Sequence, residues 1–257
     1  MFNITCSNSK KSTHYALIDY LRGIALLLMF IYHFSFDLNY FQFIQTNFYQ
    51  NPWWVNFRSF IVTLFLWLVG VSLWLATQKS INKNSFRKRL IILCIAAGLV
   101  SISSMITFPK SYIFFGILHF ITVASIVGLL FIRFHYINLL LGIVFITVGI
   151  YFSHPIFNSP ALQWFGLMPQ KPLTEDYAPF LPWFGVVLLG QFSASLIFKY
   201  QSFKWLSHLF QQWGKHLTSS QQLICCMGRH SLIIYLLHQP LFMAVLYVIK
   251  LMLPDTI

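Results

Sequence analysis

The sequence predicts an all-α, polytopic bundle of about seven transmembrane helices, with the N-terminus cytoplasmic and the C-terminus outside. Composition is the first observation behind this. Of 257 residues, 58% are hydrophobic and only 9% charged, with a mean hydropathy of +0.70, whereas soluble domains carry roughly 25% charged residues. The second observation is run length. Seven apolar runs, at roughly 17–38, 57–78, 89–107, 113–132, 136–152, 180–198 and 231–253, approach the ~20 residues a helix needs to cross a hydrocarbon core. The third is where the cations fall. On the N-terminal side lie 13 of the 17 Lys and Arg, including Lys10, Lys11, Lys79, Lys83, Arg87, Lys88, Arg89, Lys199, Lys204, Lys215 and Arg229. Opposite them are Arg58, Lys110, Lys171 and Lys250, with Asp37, Glu175, Asp176 and Asp255. Cations collect on the cytoplasmic face of membrane proteins, which sets the orientation.

Taken in order, residues 1–16 are a polar cytoplasmic tail and residues 17–253 one transmembrane domain. The first apolar run does not read as a cleaved signal peptide, because it is too long, contains Arg22 and precedes no small-x-small site. Outside, the linker 153–179 holds Pro155, Pro160, Pro169, Pro172 and Pro179 beside Trp164. So many prolines suit a rigid cap over the outer mouth. Inside, the segment 199–221 places Leu206, Leu209, Phe210, Trp213 and Leu217 at helical spacing, opposite Lys204, His208, Gln211, Gln212 and Lys215. This is the pattern of an amphipathic helix on a membrane surface. The four cysteines, Cys6, Cys94, Cys225 and Cys226, give neither a disulfide framework nor a zinc spacing. The net charge of +12 follows from topology, so nucleic acid is not an expected partner. An odd number of spans without an internal repeat argues against an inverted-repeat transporter.

The first run carries the most informative feature. Asp19, Arg22, His33 and Asp37 all lie inside it, although an ionisable group at the bilayer centre costs roughly 2.5–3.5 kcal/mol by insertion scales. At about 100° per residue, the step from Arg22 to His33 returns to within about 20° of one face, with Asp19 about 60° to one side and Asp37 about 40° beyond His33. The four form one stripe, about 16 Å long from Arg22 to His33. Such a stripe lines either a functional path or a packed polar seam between helices. Asp37, at i+4 from His33, is placed to orient the imidazole and raise its basicity, which makes His33 a candidate general base.

Three further groups could carry chemistry. His119, in Gly116-Ile117-Leu118-His119, sits about six residues inside the fourth span, at a depth similar to His33, and is the candidate for oxyanion stabilisation. Asp176 precedes Tyr177-Ala178-Pro179-Phe180-Leu181-Pro182-Trp183-Phe184-Gly185 at the opening of the sixth span and is a candidate catalytic carboxylate. Gly228-Arg229-His230-Ser231 opens the last span from the cytoplasm, followed by Tyr235, His238, Gln239 and Pro240. Helix N–H groups beside Arg229 suit a phosphate, so Arg22, Arg229, His230, Ser231 and His238 are candidate donor-binding residues. No Gly-rich phosphate loop, metal-ligand triad or nucleophilic serine elbow is present, and no metal is expected.

Together these residues resemble a known family. Asp19-Tyr20-Leu21-Arg22-Gly23 with His33 eleven residues after the arginine, Gly116-Ile117-Leu118-His119, Asp176-Tyr177 through Gly185, and Gly228-Arg229-His230-Ser231-Leu232-x-x-Tyr235-Leu236-x-His238 resemble the catalytic domain of heparan-α-glucosaminide N-acetyltransferases in their short bacterial form. More distantly they are similar to sugar-modifying membrane acyltransferases with an Arg-x10-His first helix. The resemblance implies acetyl-CoA or another acyl-CoA entering from the cytoplasm, with His33 as the catalytic histidine and Arg22 as the family's arginine. It implies a sugar or glycolipid acceptor on the outer side, in a multi-pass protein of the cell membrane surrounded by lipid. Association into a homo-oligomer is left open. Competing readings are a proton-coupled permease using the stripe as a relay and a non-catalytic assembly subunit. The enzyme is favoured because His33, Asp37 and Asp176 converge on one mouth while Arg22 and Arg229 gather at the other. It is favoured also because only Pro240 interrupts a span, where transporters more readily show paired breaks.

Overall fold

The computed structural model describes residues 15–78, 82–200, 202–214 and 217–253. Most of the expected tail, with Cys6, Lys10 and Lys11, lies outside them, as do Lys79, Lys215 and Asp255. Among the described residues there are nine α-helices: α1 (Ala16–Tyr40), α2 (Pro52–Thr77), α3 (Lys83–Thr107), α4 (Ile117–Phe131), α5 (His135–Tyr151), α6 (Phe180–Ala194), α7 (Lys204–Gln212), α8 (Ser219–Arg229) and α9 (Ser231–Met252). No strand occurs among them. Each of the seven apolar runs contains a helix. Helices α1, α2, α3 and α9, and α6 with the π-helical turn Ser195–Lys199 that continues it, are long and apolar enough to cross a membrane. The other two, α4 with 15 residues and α5 with 17, are shorter than ~20 residues, a mismatch that bilayers accommodate by local thinning.

The chain divides into two compact units, one comprising residues up to Phe65 and from Lys204 onward, the other Leu66–Phe203. In the first unit, α1 is the central element. It packs on α8, α9 and α7, with Leu26, Met29, Tyr32, Phe48 and Ile61 forming a buried cluster. The α1–α8 crossing is a backbone-to-backbone contact. A Cβ on Gly23 would overlap the Ile224 carbonyl, and one on Gly228 would overlap the Asp19 carbonyl. Small residues at such crossings are how helices approach closely without a hydrophobic driving force between them. The amphipathic segment is helical as expected. Helix α7 buries Ser207 and Phe210, sets Phe210 edge-on to Tyr15 at 6.5 Å, and is followed by Trp213, 4.5 Å from Tyr20.

Along α1 the partners from the chain's end ascend in step. Asp19 meets Arg229, His33 meets His238 and Asp37 meets Gln239. Helices α1 and α9 therefore run in the same direction.

In the second unit α6 is the buried element. Leu181, Phe184, Val186, Val187, Leu188, Gln191 and Ala194 are all enclosed, and Gly185 and Gly190 abut the Gly142 and Trp67 carbonyls of α5 and α2. Two buried amides tie the layers together: Asn138 Nδ2 donates to Gln191 Oε1 at 3.1 Å, and Gln191 Nε2 donates to the Gly128 carbonyl at 3.0 Å. By contrast α3 exposes Ile91, Ile95, Leu99, Ile102 and Ile106, a helical stripe that would be a liability in water and is at home in lipid.

The linkers that precede α4 and α6 are tied into this unit. His154 N–H donates to the Leu167 carbonyl at 2.8 Å, Glu175 N–H to Ser111 O at 3.0 Å, Thr174 Oγ1 to Tyr112 O at 2.9 Å, and Ala178 N–H to Phe115 O at 3.2 Å. The Tyr177 hydroxyl donates to the Gln163 carbonyl at 2.6 Å, and burial pushes its phenol above the ordinary range. Leu181 is extended (φ −103°, ψ 134°) ahead of Pro182, so regular helix in α6 begins after Leu181 instead of at the start of the apolar run.

The α1–α8 crossing gives a direct test. Gly228→Ala should destabilise the protein by about 1–3 kcal/mol, as overpacking does, read as a lower unfolding temperature in detergent. Gly98→Ala, where a Cβ meets nothing within 4 Å, should be neutral or slightly stabilising because alanine is the better helix former.

Candidate functional site

The polar stripe of α1 holds, and it separates into two levels with different partners. At the lower level Asp19, in the first turn and 3% exposed, accepts from Arg22 Nη1 at 3.2 Å and from Arg229 Nε at 3.0 Å, one on each carboxylate oxygen. Arg22 also donates weakly to the Gly228 carbonyl at 3.5 Å. A carboxylate near a helix start and a guanidinium near a helix end both complement helix dipoles, so the Asp19–Arg229 pair suits α1 and α8 together.

The motif around Arg229 differs from the sequence reading. Gly228 and Arg229 close α8 instead of opening α9, because the His230 N–H bonds back to the Cys226 and Met227 carbonyls. His230 lies between the helices and Ser231 is the first residue of α9. Arg22, Arg229, His230 and Ser231 thus gather at one end of the unit. His238 does not join them, since seven residues of α9 carry it about 10 Å further along.

At the upper level His238 stands beside His33, with ring centroids 5.0 Å apart at 64°. Phe30 stacks on the His238 ring at 5.6 Å and 23°, and Phe242 meets it edge-on at 5.9 Å. His238 Nδ1 lies 2.6 Å from the Tyr235 carbonyl. A carbonyl only accepts, so Nδ1 carries the proton and the neutral ring's lone pair is on Nε2. The expected Asp37–His33 pairing is not what forms. Asp37 Oδ1 accepts from Gln239 Nε2 at 2.7 Å, and His33 makes ring contacts with Tyr32 and His238. The i+4 spacing allows the local pair, but a side chain from α9 takes the carboxylate first. Gln239 is the site residue that sequence reasoning passed over; its signal was an amide beside His238 in an otherwise apolar helix. Three atoms here are buried without a partner: Asp37 Oδ2, His238 Nε2 and Gln239 Oε1. An unpaired buried acceptor costs about 1–3 kcal/mol, so three together demand an explanation.

The remaining candidates sit in the second unit. His119 lies in the first turn of α4, not six residues into a span, because residues 113–116 are not helical. Its Nδ1 accepts the Gly116 N–H at 3.3 Å, so the proton sits on Nε2, which donates to Ser101 Oγ at 3.3 Å. Ser101 in turn donates to the Ile113 carbonyl at 2.6 Å. Asp176 Oδ2 accepts the Ile117 N–H at 2.9 Å, capping α4 from a distant loop. Gly116 has no side chain for the task, and any Cβ there would strike that carboxylate. Both residues shape the start of α4. Among the described residues no three His, Cys, Asp or Glu side chains lie together as metal ligands would.

The lower level makes a quantitative prediction. Asp19→Ala strips a buried carboxylate from two guanidiniums and should cost about 2–3 kcal/mol. Arg229→Ala should cost less, since its side chain is 35% exposed and solvent screens the loss. Thermal unfolding of the two variants in detergent checks the order; equal losses would contradict it.

No curated protein and no solved structure matches the chain. The family described as "Heparan-alpha-glucosaminide N-acetyltransferase, catalytic" matches residues 14–240, which takes in all three clusters and every motif that carries the resemblance. With the helical membrane architecture and the paired levels of α1 in place, the chain belongs to the heparan-α-glucosaminide N-acetyltransferase catalytic family.

Proposed function

We propose that the protein moves an acetyl group from cytoplasmic acetyl-CoA to a hydroxyl or amine of a cell-envelope glycan at the outer side of the membrane. The observation that carries this reading is the two-level stripe of α1. Arginines gather at one level, while imidazoles and a carboxylate stand at the other, about 16 Å along the helix.

Arg22 and Arg229, with the N–H groups and hydroxyl at Ser231, suit the phosphates of the donor. Asp19 neutralises one positive charge of the pair and fixes where both guanidiniums stand, so a phosphate meets an ordered cation instead of a mobile one. Acyl transfer at the upper level requires that the acceptor lose a proton. His33 takes that proton as the acceptor oxygen or nitrogen bonds to the thioester carbonyl carbon. The carbon–sulfur bond then breaks, and the imidazolium returns the proton to the departing thiolate. Oxyanion stabilisation by His119 would require two existing hydrogen bonds to open, so we assign His119 and Asp176 to the shape of the α4 entrance instead.

If His33 is the base, His33→Ala should lower acetyl transfer about 10²–10⁴-fold while acetyl-CoA binding, measured by calorimetry, stays intact. Arg22→Ala or Arg229→Ala should instead weaken acetyl-CoA binding about tenfold or more, since charge-assisted contacts are worth about 1.5–3 kcal/mol each. Full turnover by the His33→Ala variant would end the assignment of the base, and unchanged donor affinity in both arginine variants would remove support for the donor site.

A further inference from the structure

Of the five buried side-chain atoms without a partner among the described residues, three belong to one turn of α1 and two adjacent residues of α9. All three are acceptors. Asp37 is acceptor-only as a carboxylate; its Oδ1 is taken by Gln239 Nε2, which leaves Oδ2. The same bond turns the amide nitrogen of Gln239 towards Asp37 and leaves Oε1 as the open end. The Tyr235 carbonyl holds the His238 proton on Nδ1 and leaves a lone pair on Nε2. The two oxygens flank one 2.7 Å bond, and His238 is the next residue to Gln239. Asp37 and His238 are 1% and 6% exposed, so bulk water does not satisfy them. Each acceptor is also held from behind, by Gln239, by Asp37 and by the Tyr235 carbonyl, while Phe30 and Phe242 fix the His238 ring.

We infer that Asp37, His238 and Gln239 form a subsite for the acceptor substrate, taking a group that offers several adjacent hydrogen-bond donors and no negative charge: a ring with neighbouring hydroxyls, or a hydroxyl beside an ammonium. The inference rests on the transferase reading and assigns His238 to the acceptor instead of the donor. The phosphates of CoA supply further acceptors, which three lone-pair-bearing atoms would repel, whereas sugar hydroxyls and amines supply the missing donors. A simple alcohol fills one of the three positions and leaves two unpaired. An anionic ring brings its charge against the Asp37 carboxylate. His33, 5.0 Å from His238 by ring centroid, is within one side chain of a group held there, so recognition and proton removal occur at adjoining imidazoles.

The test is calorimetric binding to the full chain in a detergent without a sugar headgroup. The probes are methyl glucoside, cyclohexanol and methyl glucuronide as its anion. Methyl glucoside should bind at least about tenfold more tightly than either of the others. His238→Phe, which keeps an aromatic ring against Phe30, and Asp37→Asn, which turns one acceptor into a donor, should each weaken methyl glucoside about tenfold and leave acetyl-CoA affinity within about twofold. Retained acetyl-CoA binding also shows that the variants are folded. Equal binding of methyl glucoside and cyclohexanol, no binding of methyl glucoside, or unchanged affinity in both variants overturns the subsite, with ordered water then filling the three positions. Loss of acetyl-CoA affinity in His238→Phe with sugar binding intact overturns it as well. Failure of the wild type to bind acetyl-CoA, with selective sugar binding preserved, defeats the transferase reading and leaves the subsite standing.

Discussion

Gly228 sits so close to the Asp19 carbonyl that no side chain fits between them, and the Asp19 carboxylate reaches across the same crossing to Arg229. This contact fixes α1 against α8, and through the short His230 junction it fixes α9 against α1. A slip of one turn at the crossing would displace α9 by about 5.4 Å. His33 would then lose His238, and Asp37 would lose Gln239. The glycines supply proximity and the ion pair supplies direction, so the upper level of the stripe inherits its geometry from the lower one.

The ionisable groups of α1 are made tolerable in different ways, and the differences are informative. Asp19 is fully engaged by two guanidiniums and is the structural anchor. Asp37 is half engaged by an amide, and among the described residues His33 is held by ring contacts with Tyr32 and His238. Burying a polar group without its partner is destabilising in any protein and more so in an apolar one. On the proposed reading, the level that keeps unpaired acceptors is where an acceptor's hydrogen-bond donors are most stabilising, while the paired level both orders the arginines and holds α1 against α8.

The second unit reaches its order by other means. Helix α6 is enclosed because Gly185 and Gly190 let α5 and α2 approach its backbone, and the Asn138–Gln191–Gly128 chain gives those contacts a fixed register. The start of α4 is borrowed from elsewhere in the sequence: Gly116 cannot cap the helix, so Asp176 does. His119 completes that turn with Gly116 and Ser101. His119 and Asp176 thus account for how the linker before α6 is pinned to the start of α4.

Helix identity, the seven apolar runs and the stripe on α1 were legible in the sequence, because hydropathy and a 3.6-residue period are properties of one segment at a time. The amphipathic α7 and the close spacing of Arg229 to Ser231 were legible for the same reason. Partnership was not. The i+4 rule offered Asp37 to His33, yet the carboxylate is taken by Gln239, 202 residues away. Arg229 read as the opening of a span, yet it ends α8 and pairs with Asp19 at a separation of 210 residues. His238, grouped by sequence with the donor motif, stands beside His33. Each of these outcomes depends on which helix lies against α1 and at what height. That is set by the glycine crossing and its ion pair, which exist only once both ends of the chain have met.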